Sequence, residues 1–495
     1  MTYQKYKEHS RKVADVQHAT AVLQWDQEVN MPPKGAEQRG SQLATLSVIA
    51  HEWSTDSAFG DLLNTLASDK SLSAKEQRNV AESLKDFHRR KAYTPAFVEE
   101  MSLATSKAFN AWQQARKQKD FSLFQRDLEH IVSLKRQECD LLGYSGHPYN
   151  ALVEEYEPGA TVEMLDRLFA GVRSSLTTLL DRVKNSAAPA NLFEGKHFPS
   201  DAQWGIGVEL LKQMGYDFEA GRQDLAPHPF CITFSPGDVR VTTRVNESDV
   251  FDMLSSCIHE GGHALYEQGL LPENYGLPAG MAISLGIHES QSRLWENNVG
   301  RSQEFWQNNF RLLQETFTEQ CGALSPRDAY VANNLISPSL IRVQADELTY
   351  HFHIMIRYEL EKALLTGDLQ VADLPAAWND MYAKYLGVKV PDDAQGVLQD
   401  IHWAHGSIGY FPTYTLGSFY AAQFYATAEK EIPELSKKIA SGELLPLKAW
   451  LNEKIHKHGR LMGAEELCAA VTGEPLNYQY FHTYLEAKLG DVYGW

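Results

Sequence analysis

The feature that most restricts what this chain can fold into is a pair of adjacent glycines inside the run His259-Glu260-Gly261-Gly262-His263. Around it, Val250, Leu254, Ile258 and Leu265 mark one face of a helix expected from Asp249 to about Gln268, with Ser248 or Asn246 as its cap and Gly269 as its stop. Two glycines within a helix cost on the order of 2 kcal/mol relative to alanines. They are therefore expected where a facing helix or a substrate lies too close for side chains. Histidines four residues apart stand one above the other on a helix, so both imidazoles can bind a single Zn2+. Glu260, beside the first of them, can then act on a water at the metal as a general base.

A catalytic zinc takes three protein ligands and keeps a further position for water. The continuous pattern HExxHxxGxxH fails, because Tyr266 and Gly269 stand where it needs Gly and His. The third ligand must come from another element. Glu289, in the helical stretch Ile287 to Glu296, lies 26 residues past His263, enough chain for a turn and a returning helix. Glu296 and Glu267 are rivals for the same role. His288, next to Glu289, reads as a group behind a ligand or facing the substrate before it reads as a fourth ligand.

Elsewhere the pattern is helical. From Ala74 to Leu142 apolar residues recur at three and four spacing; Thr94-Pro95 starts a new helix, Gly143 to Gly146 ends one, and Thr161 to Asn185 forms another. With 43% hydrophobic and 22% charged residues, a large buried core is expected, and no linker or repeat divides the 495 residues. The expectation is a mainly α, single large domain over 1–495, with an N-terminal helical part (about 1–190), a metal-site part (about 225–415) and C-terminal helices (about 416–495). A net charge of −18 with no basic cluster argues against a nucleic-acid partner. Met1 to Val13 lacks the apolar core of a secretory signal and no 18-residue apolar run follows, so a cytoplasmic protein without a membrane span is expected. The five cysteines include no CxxC pair, and Cys257 reads as buried core.

Three polar constellations remain. Phe230 to Arg244 alternates about a Pro236-Gly237 turn and reads as a β-hairpin leading into the motif helix, with Asp238, Arg240 and Thr242 on the side opposite Val239 and Val241. A helix is expected over Leu340 to Leu365, where Arg342, Asp346, Thr349 and His353 recur at four, three and four spacing. As a functional stripe it would offer Arg342 as a forked donor to a substrate carboxylate, oriented by Asp346; otherwise it is a solvated face. Finally, Gln399 to Tyr410 gathers Asp400, His402, His405 and Tyr410 among small residues, a grouping suited to stabilising an oxyanion.

With those residues in hand, the sequence resembles the Taq-type zinc metallocarboxypeptidases. Six motifs carry the resemblance in order: His228-Pro229-Phe230, Asp238 to Thr242, His259 to His263, His288 to Gln291, Ile341 to Asp346, and Gly396 to Trp403. Trp25-Asp26 with Met31-Pro32-Pro33, and Glu155 to Gly159, extend it over the N-terminal third. The resemblance implies an almost wholly helical fold with a deep central groove, a homodimer, and removal of single residues from the free C-terminus of peptides with broad specificity. It also implies one zinc per chain on His259, His263 and Glu289, with Co2+ able to replace it, Glu260 as the catalytic carboxylate, and Arg342 at the peptide C-terminus. His228, Asp238, Arg240, Thr242, His288, Asp346, Gln399, His402, His405 and Tyr410 complete the expected substrate side. A zinc endopeptidase or aminopeptidase, or a noncatalytic metal-binding scaffold, are the competing readings.

Overall fold

A computed structural model describes residues 2–226 and 228–495. The chain is 69% helical, with 21 α-helices and one three-stranded sheet among the described residues. Its backbone contacts group into two interleaved units: residues 1–91, 191–333 and 420–477 form the first, and 92–190, 334–419 and 478–495 the second. The stretch 225–415, expected to act together, is thus divided after Asn333. No described helix is long and apolar enough to cross a membrane.

In the first unit, helix α1 (Thr2–Val29) and helix α2 (Ser200–Met214) accompany the sheet. The expected hairpin is present as β2 (Cys231–Ser235) and β3 (Asp238–Thr243), paired antiparallel with an irregularity between Thr233 and Ser235. A third strand, β1 (Gln223–Leu225), pairs parallel to β3 and makes the order β1-β3-β2. Three residues are too few to display an alternation that sequence reading could detect. Val239 and Val241 are buried as expected.

The sheet leads into α3 (Val250–Gly269). Its cap is Asp249, whose Oδ1 accepts the Phe251 N–H at 3.0 Å, and not Ser248 or Asn246. Those two residues bond each other instead, Ser248 donating both its N–H and its hydroxyl to Asn246 Oδ1, which makes a turn one step upstream. Helix α4 (Leu285–Arg293) follows, capped by Ser284 through the Ile287 N–H, and runs on as a π-helical segment, Leu294–Gly300. Such segments are rare and concentrate at functional sites.

The second unit contains the helices Pro95–Gln118, Ser122–Leu142 and Val162–Lys184, close to their expected limits, with Thr94 and Thr161 as caps. The helix expected over Leu340 to Leu365 is shorter. Arg342–Gln344 is a single 3-10 turn, and α5 (Tyr350–Thr366) starts only after Thr349. Asp346 is the reason: its carboxylate accepts the backbone N–H groups of Ser337, Leu348 and Thr349 and the Thr349 hydroxyl. Asp competes with helix interiors by making such local bonds. The stripe of Arg342, Asp346, Thr349 and His353 therefore does not share one helical face, and Asp346 does not orient Arg342.

Candidate metal centre

α3 sets the imidazoles of His259 and His263 with ring centroids 4.9 Å apart. From α4, Glu289 brings Oε2 to 3.6 Å from His259 Nε2 and 3.4 Å from His263 Nε2. One donor atom from each of the three lies within 4.8 Å of the others. Four-coordinate bonds of about 2.0–2.1 Å place neighbouring ligands about 3.3 Å apart, so the trio has the dimensions of a divalent-cation site.

The glycine pair explains how α4 comes so near. A Cβ on Gly262 would lie 2.6 Å from Ser292 Cα and 2.7 Å from the Gln291 carbonyl oxygen, both backbone atoms of α4. One on Gly261 would meet Leu211 Cδ2 at 2.6 Å, at the side of α2. The helix thus gives up side chains on two flanks, and on one of them the ligand-bearing helix takes the space.

The rival carboxylates occupy the far sides of the histidines. Glu296 Oε2 accepts from His259 Nδ1 at 2.8 Å, and the same carboxylate pairs with Arg293 at 3.1 Å and Arg301 at 3.0 Å. Glu267 Oε1 receives His288 Nε2 at 2.8 Å, while His288 Nδ1 faces His263 Nδ1 at 2.5 Å. Of the two facing Nδ1 atoms one donates and the other accepts, and the arrangement in which His263 donates leaves its Nε2 unprotonated toward Glu289. In that arrangement both motif histidines have Nδ1–H outward and Nε2 toward Glu289, the tautomer a metal ligand needs. Arg293 ties the two acids of this stripe together, its Nε donating to Glu289 Oε1 at 2.7 Å.

Electrostatics agree with that arrangement. Burial opposes ionisation of Glu289 and Glu296, yet Arg293, with the histidines and, for Glu296, Arg301, holds both well below the usual carboxylate range. Burial, followed by His288, lowers His263 to about 3. Burial also disfavours the His259 cation, but Glu289 and Glu296 outweigh it and raise its pKa. Glu260 is pushed up to about 7 by burial, with Glu289 adding to the rise and His259 opposing it. A carboxylate poised there suits proton transfer near neutral pH.

Other expected residues of the first unit are placed as follows. Arg240 grips Asp238 through two bonds of 2.8 Å and stacks on Trp25, 4.3 Å from the ring centre. Thr242 is buried and its hydroxyl takes the Phe230 N–H at 2.9 Å, closing the hairpin. His228 is exposed ahead of β2. Cys257 is buried, as expected, beside Gln223.

Arg342, Gln399, His402, His405 and Tyr410 belong to the second unit. Arg342 is buried and pairs with Asp400, Nε and Nη2 each at 2.9 Å, with Tyr350 also in reach. Arg357, fully buried, binds the other oxygen of Asp400. Two guanidiniums thus share one carboxylate, whose pKa they hold far down against the effect of burial. Gln399 brackets the turn, accepting the Arg342 N–H and donating to the Leu340 carbonyl. His402 Nε2 lies 3.0 Å from the Tyr414 hydroxyl, and burial with Arg342 lowers its pKa to about 3. Its ring is 5.2 Å from Tyr410, whereas His405 packs on Phe109. Glu361 of α5 anchors the stretch behind them: it accepts Trp403 Nε1 and the Tyr149 hydroxyl at 2.8 Å and the Gly409 N–H at 3.1 Å, and burial pushes it up to about 7.

Sequence reading passed over Arg357, Arg293 and Arg301 as parts of the machinery. For Arg293 a signal existed: Glu289, Arg293 and Glu296 fall at i, i+4 and i+7, one helical stripe of alternating charge. For Arg357 a signal existed too: it stands four residues past His353, the next step of the polar stripe that starts at Arg342.

The family model described as Carboxypeptidase Taq (M32) metallopeptidase matches residues 5–489. The chain is 41% identical to Thermostable carboxypeptidase 1 of Thermus thermophilus and 38% identical to Carboxypeptidase 1 of Bacillus subtilis, covering 99% of each chain in both cases. Among solved structures, the M32 carboxypeptidase of Deinococcus radiodurans R1 superposes with a TM-score of 0.97 at 40% identity over 100% of both chains.

Proposed function

The chain belongs to the carboxypeptidase Taq (M32) metallopeptidase family, and from that premise we propose that it is a zinc carboxypeptidase that removes single residues, with broad specificity, from the free C-terminus of peptides. The observation that carries the reading is the trio His259, His263 and Glu289, with both imidazoles held in the ligand tautomer by Glu296 and His288. Its nitrogen and oxygen donors suit Zn2+, with Co2+ an accepted substitute. When bound, the cation acidifies water and polarises the scissile carbonyl.

The chain's own groups do the rest. Glu260 takes the proton of the attacking water on its carboxylate and hands it to the leaving amine. Glu296, His288 and Glu267 keep the imidazoles oriented through the cycle. Arg342 receives the terminal carboxylate of the peptide as a forked donor; the surplus of positive charge that it and Arg357 hold over Asp400 favours an anion. His402 and Tyr410 serve as donors to the oxyanion, and Asp238, Arg240, Thr242 and His228 support the substrate side of the hairpin. Family resemblance further supports a homodimer working in the cytoplasm.

The decisive experiment incubates Zn2+-loaded protein with a pool of peptides and with the same peptides amidated at the C-terminus, and reads product masses. Stepwise loss of single C-terminal residues from the free acids alone is expected. Equal cleavage of the amides, or internal cuts, would replace this reading with an endopeptidase or aminopeptidase.

A further inference from the structure

Behind the metal centre, within the same unit, a line of buried polar groups joins Ser290 and Gln291 of the His288 to Gln291 run to His456, which no motif covers. His456 opens the short 3-10 stretch His456–Leu461 and is fully buried. Its Nε2 is 2.8 Å from Gln291 Oε1, and its Nδ1 is 2.7 Å from Asn452 Oδ1. The ring lies against Tyr266, with centroids 5.0 Å apart. Burial, then His288 and Lys448, lowers its pKa to about 3, so it is a neutral imidazole with a single N–H.

The direction of the line is set at its far end. Ser290 Oγ donates to the Ile287 carbonyl at 2.6 Å, and Gln291 Nε2 donates to Ser290 Oγ at 2.9 Å. A serine hydroxyl has one proton, already committed to Ile287, so Gln291 must present its NH2 to Ser290 and its Oε1 to His456. The imidazole proton is therefore on Nε2, and Asn452, whose Oδ1 stands at Nδ1, donates there only with its side-chain amide turned over. A one-way chain results: His456 to Gln291 to Ser290 to the backbone of Ile287. It ends in the first turn of α4, two residues before Glu289.

Packing places this chain as a clamp. The Gln291 carbonyl oxygen and Ser292 are the atoms that a Cβ on Gly262 would strike. At the other end of α3, a Cβ on Gly269 would lie 2.5 Å from His456 Nδ1 and 2.7 Å from Asn452 Oδ1. Helix α3 has thus dropped a side chain at both places where the clamp and the clamped helix press on it. We propose that His456 is a positioning residue of the metal centre: through Gln291 it seats α4 against α3 at Gly262 and so sets the reach of Glu289 to His259 and His263. This rests on the reading that those three residues hold a divalent cation.

The test uses the full chain stripped of metal, with Zn2+ alone as probe in competition with a chelator. His456→Ala, Gln291→Leu and the double variant are compared with the unaltered protein, with the Zn2+-induced rise in Tm as a second readout. Each single variant should bind Zn2+ about tenfold more weakly or worse, the range seen when groups behind a ligand are removed. Since both substitutions cut the same chain, the double variant should be no weaker than the weaker single one. Unchanged Zn2+ affinity with only a lower Tm of the apoprotein, or effects that multiply in the double variant, would overturn the proposal and leave His456 a packing residue. Should His456→Ala not fold, Gln291→Leu carries the same comparison from the α4 side. His259→Ala separates the two levels. If it binds Zn2+ as tightly as the unaltered protein, the reading of the site fails; if it loses Zn2+ while His456→Ala and Gln291→Leu do not, this inference alone fails.

Discussion

Gly262→Ala tests how the metal centre is built. The added methyl would sit 2.6 Å from Ser292 Cα, 2.7 Å from the Gln291 carbonyl oxygen and 3.0 Å from Ser292 N. Carbon contacts settle at about 3.5–4.0 Å, so α4 has to retreat by about 1 Å, and none of the three atoms can rotate out of the way. Metal–ligand distances tolerate only about 0.2 Å, so Glu289 is carried out of reach. Stability changes less, because overpacking costs about 1–3 kcal/mol while alanine is the better helix former by about 1 kcal/mol. The expected result is an apoprotein that unfolds at nearly its usual urea concentration yet binds Zn2+ more than about 100-fold more weakly, a larger loss than removing an outer hydrogen bond produces. Gly261→Ala is the control. Its methyl meets Leu211 Cδ2 at 2.6 Å and Met214 Cε at 3.1 Å, which are ends of flexible side chains and can turn aside. Chelator competition on both variants decides the matter: normal Zn2+ affinity in Gly262→Ala, or an equal loss in Gly261→Ala, would refute the account of why the glycines are there.

Three further outcomes follow from the same structure. Glu260→Gln should bind Zn2+ with normal stoichiometry while kcat falls by about 100- to 10,000-fold, the span typical of a lost general base; near-normal turnover would remove Glu260 from that role. Arg342→Met should raise KM for free-acid peptides and lower kcat/KM by about 100-fold, with Arg342→Lys intermediate because it keeps charge but not the fork; a variant with unchanged KM would dissociate Arg342 from the terminal carboxylate. Glu361 makes stability depend on pH in a definite direction. Its pKa is about 7 in the folded protein against 4.5 for the free side chain, so the native state binds the proton more tightly, and the stability it contributes is complete below pH 4.5 and lost as pH rises through 7. The loss is on the order of 3 kcal/mol at 1.36 kcal/mol per unit, and Glu361→Gln should remove it. Urea midpoints at pH 5 and pH 8 that differ equally in the two proteins would contradict the assignment.

How much of this was legible beforehand depends on the range of the interactions concerned. The motif helix, the hairpin before it and the successive amphipathic helices of the second unit were readable because period, cap and turn residues act within a few positions. The helix over Leu340 to Leu365 was overextended for an informative reason. Its apolar spacing continues through Arg342, but the Asp346 carboxylate collects three backbone N–H groups, one of them from Ser337, outside the expected helix. Partners distant in sequence stayed hidden: Arg342 with Asp400, Glu361 with Tyr149 and Trp403, His456 with Gln291.

What the sequence determined by itself was the inventory and the local frame. Two imidazoles one helical turn apart, an acid beside the first, and two glycines whose cost demanded a close neighbour all follow from helical geometry applied to five consecutive residues. Which carboxylate joins the imidazoles, and which acids merely hold them from behind, was decided only when the chain closed on itself. Glu267, Glu289 and Glu296 are chemically alike, and α4 passing over Gly262, not any property of the residues, brings one of them to the Nε2 atoms and leaves the other two behind the rings.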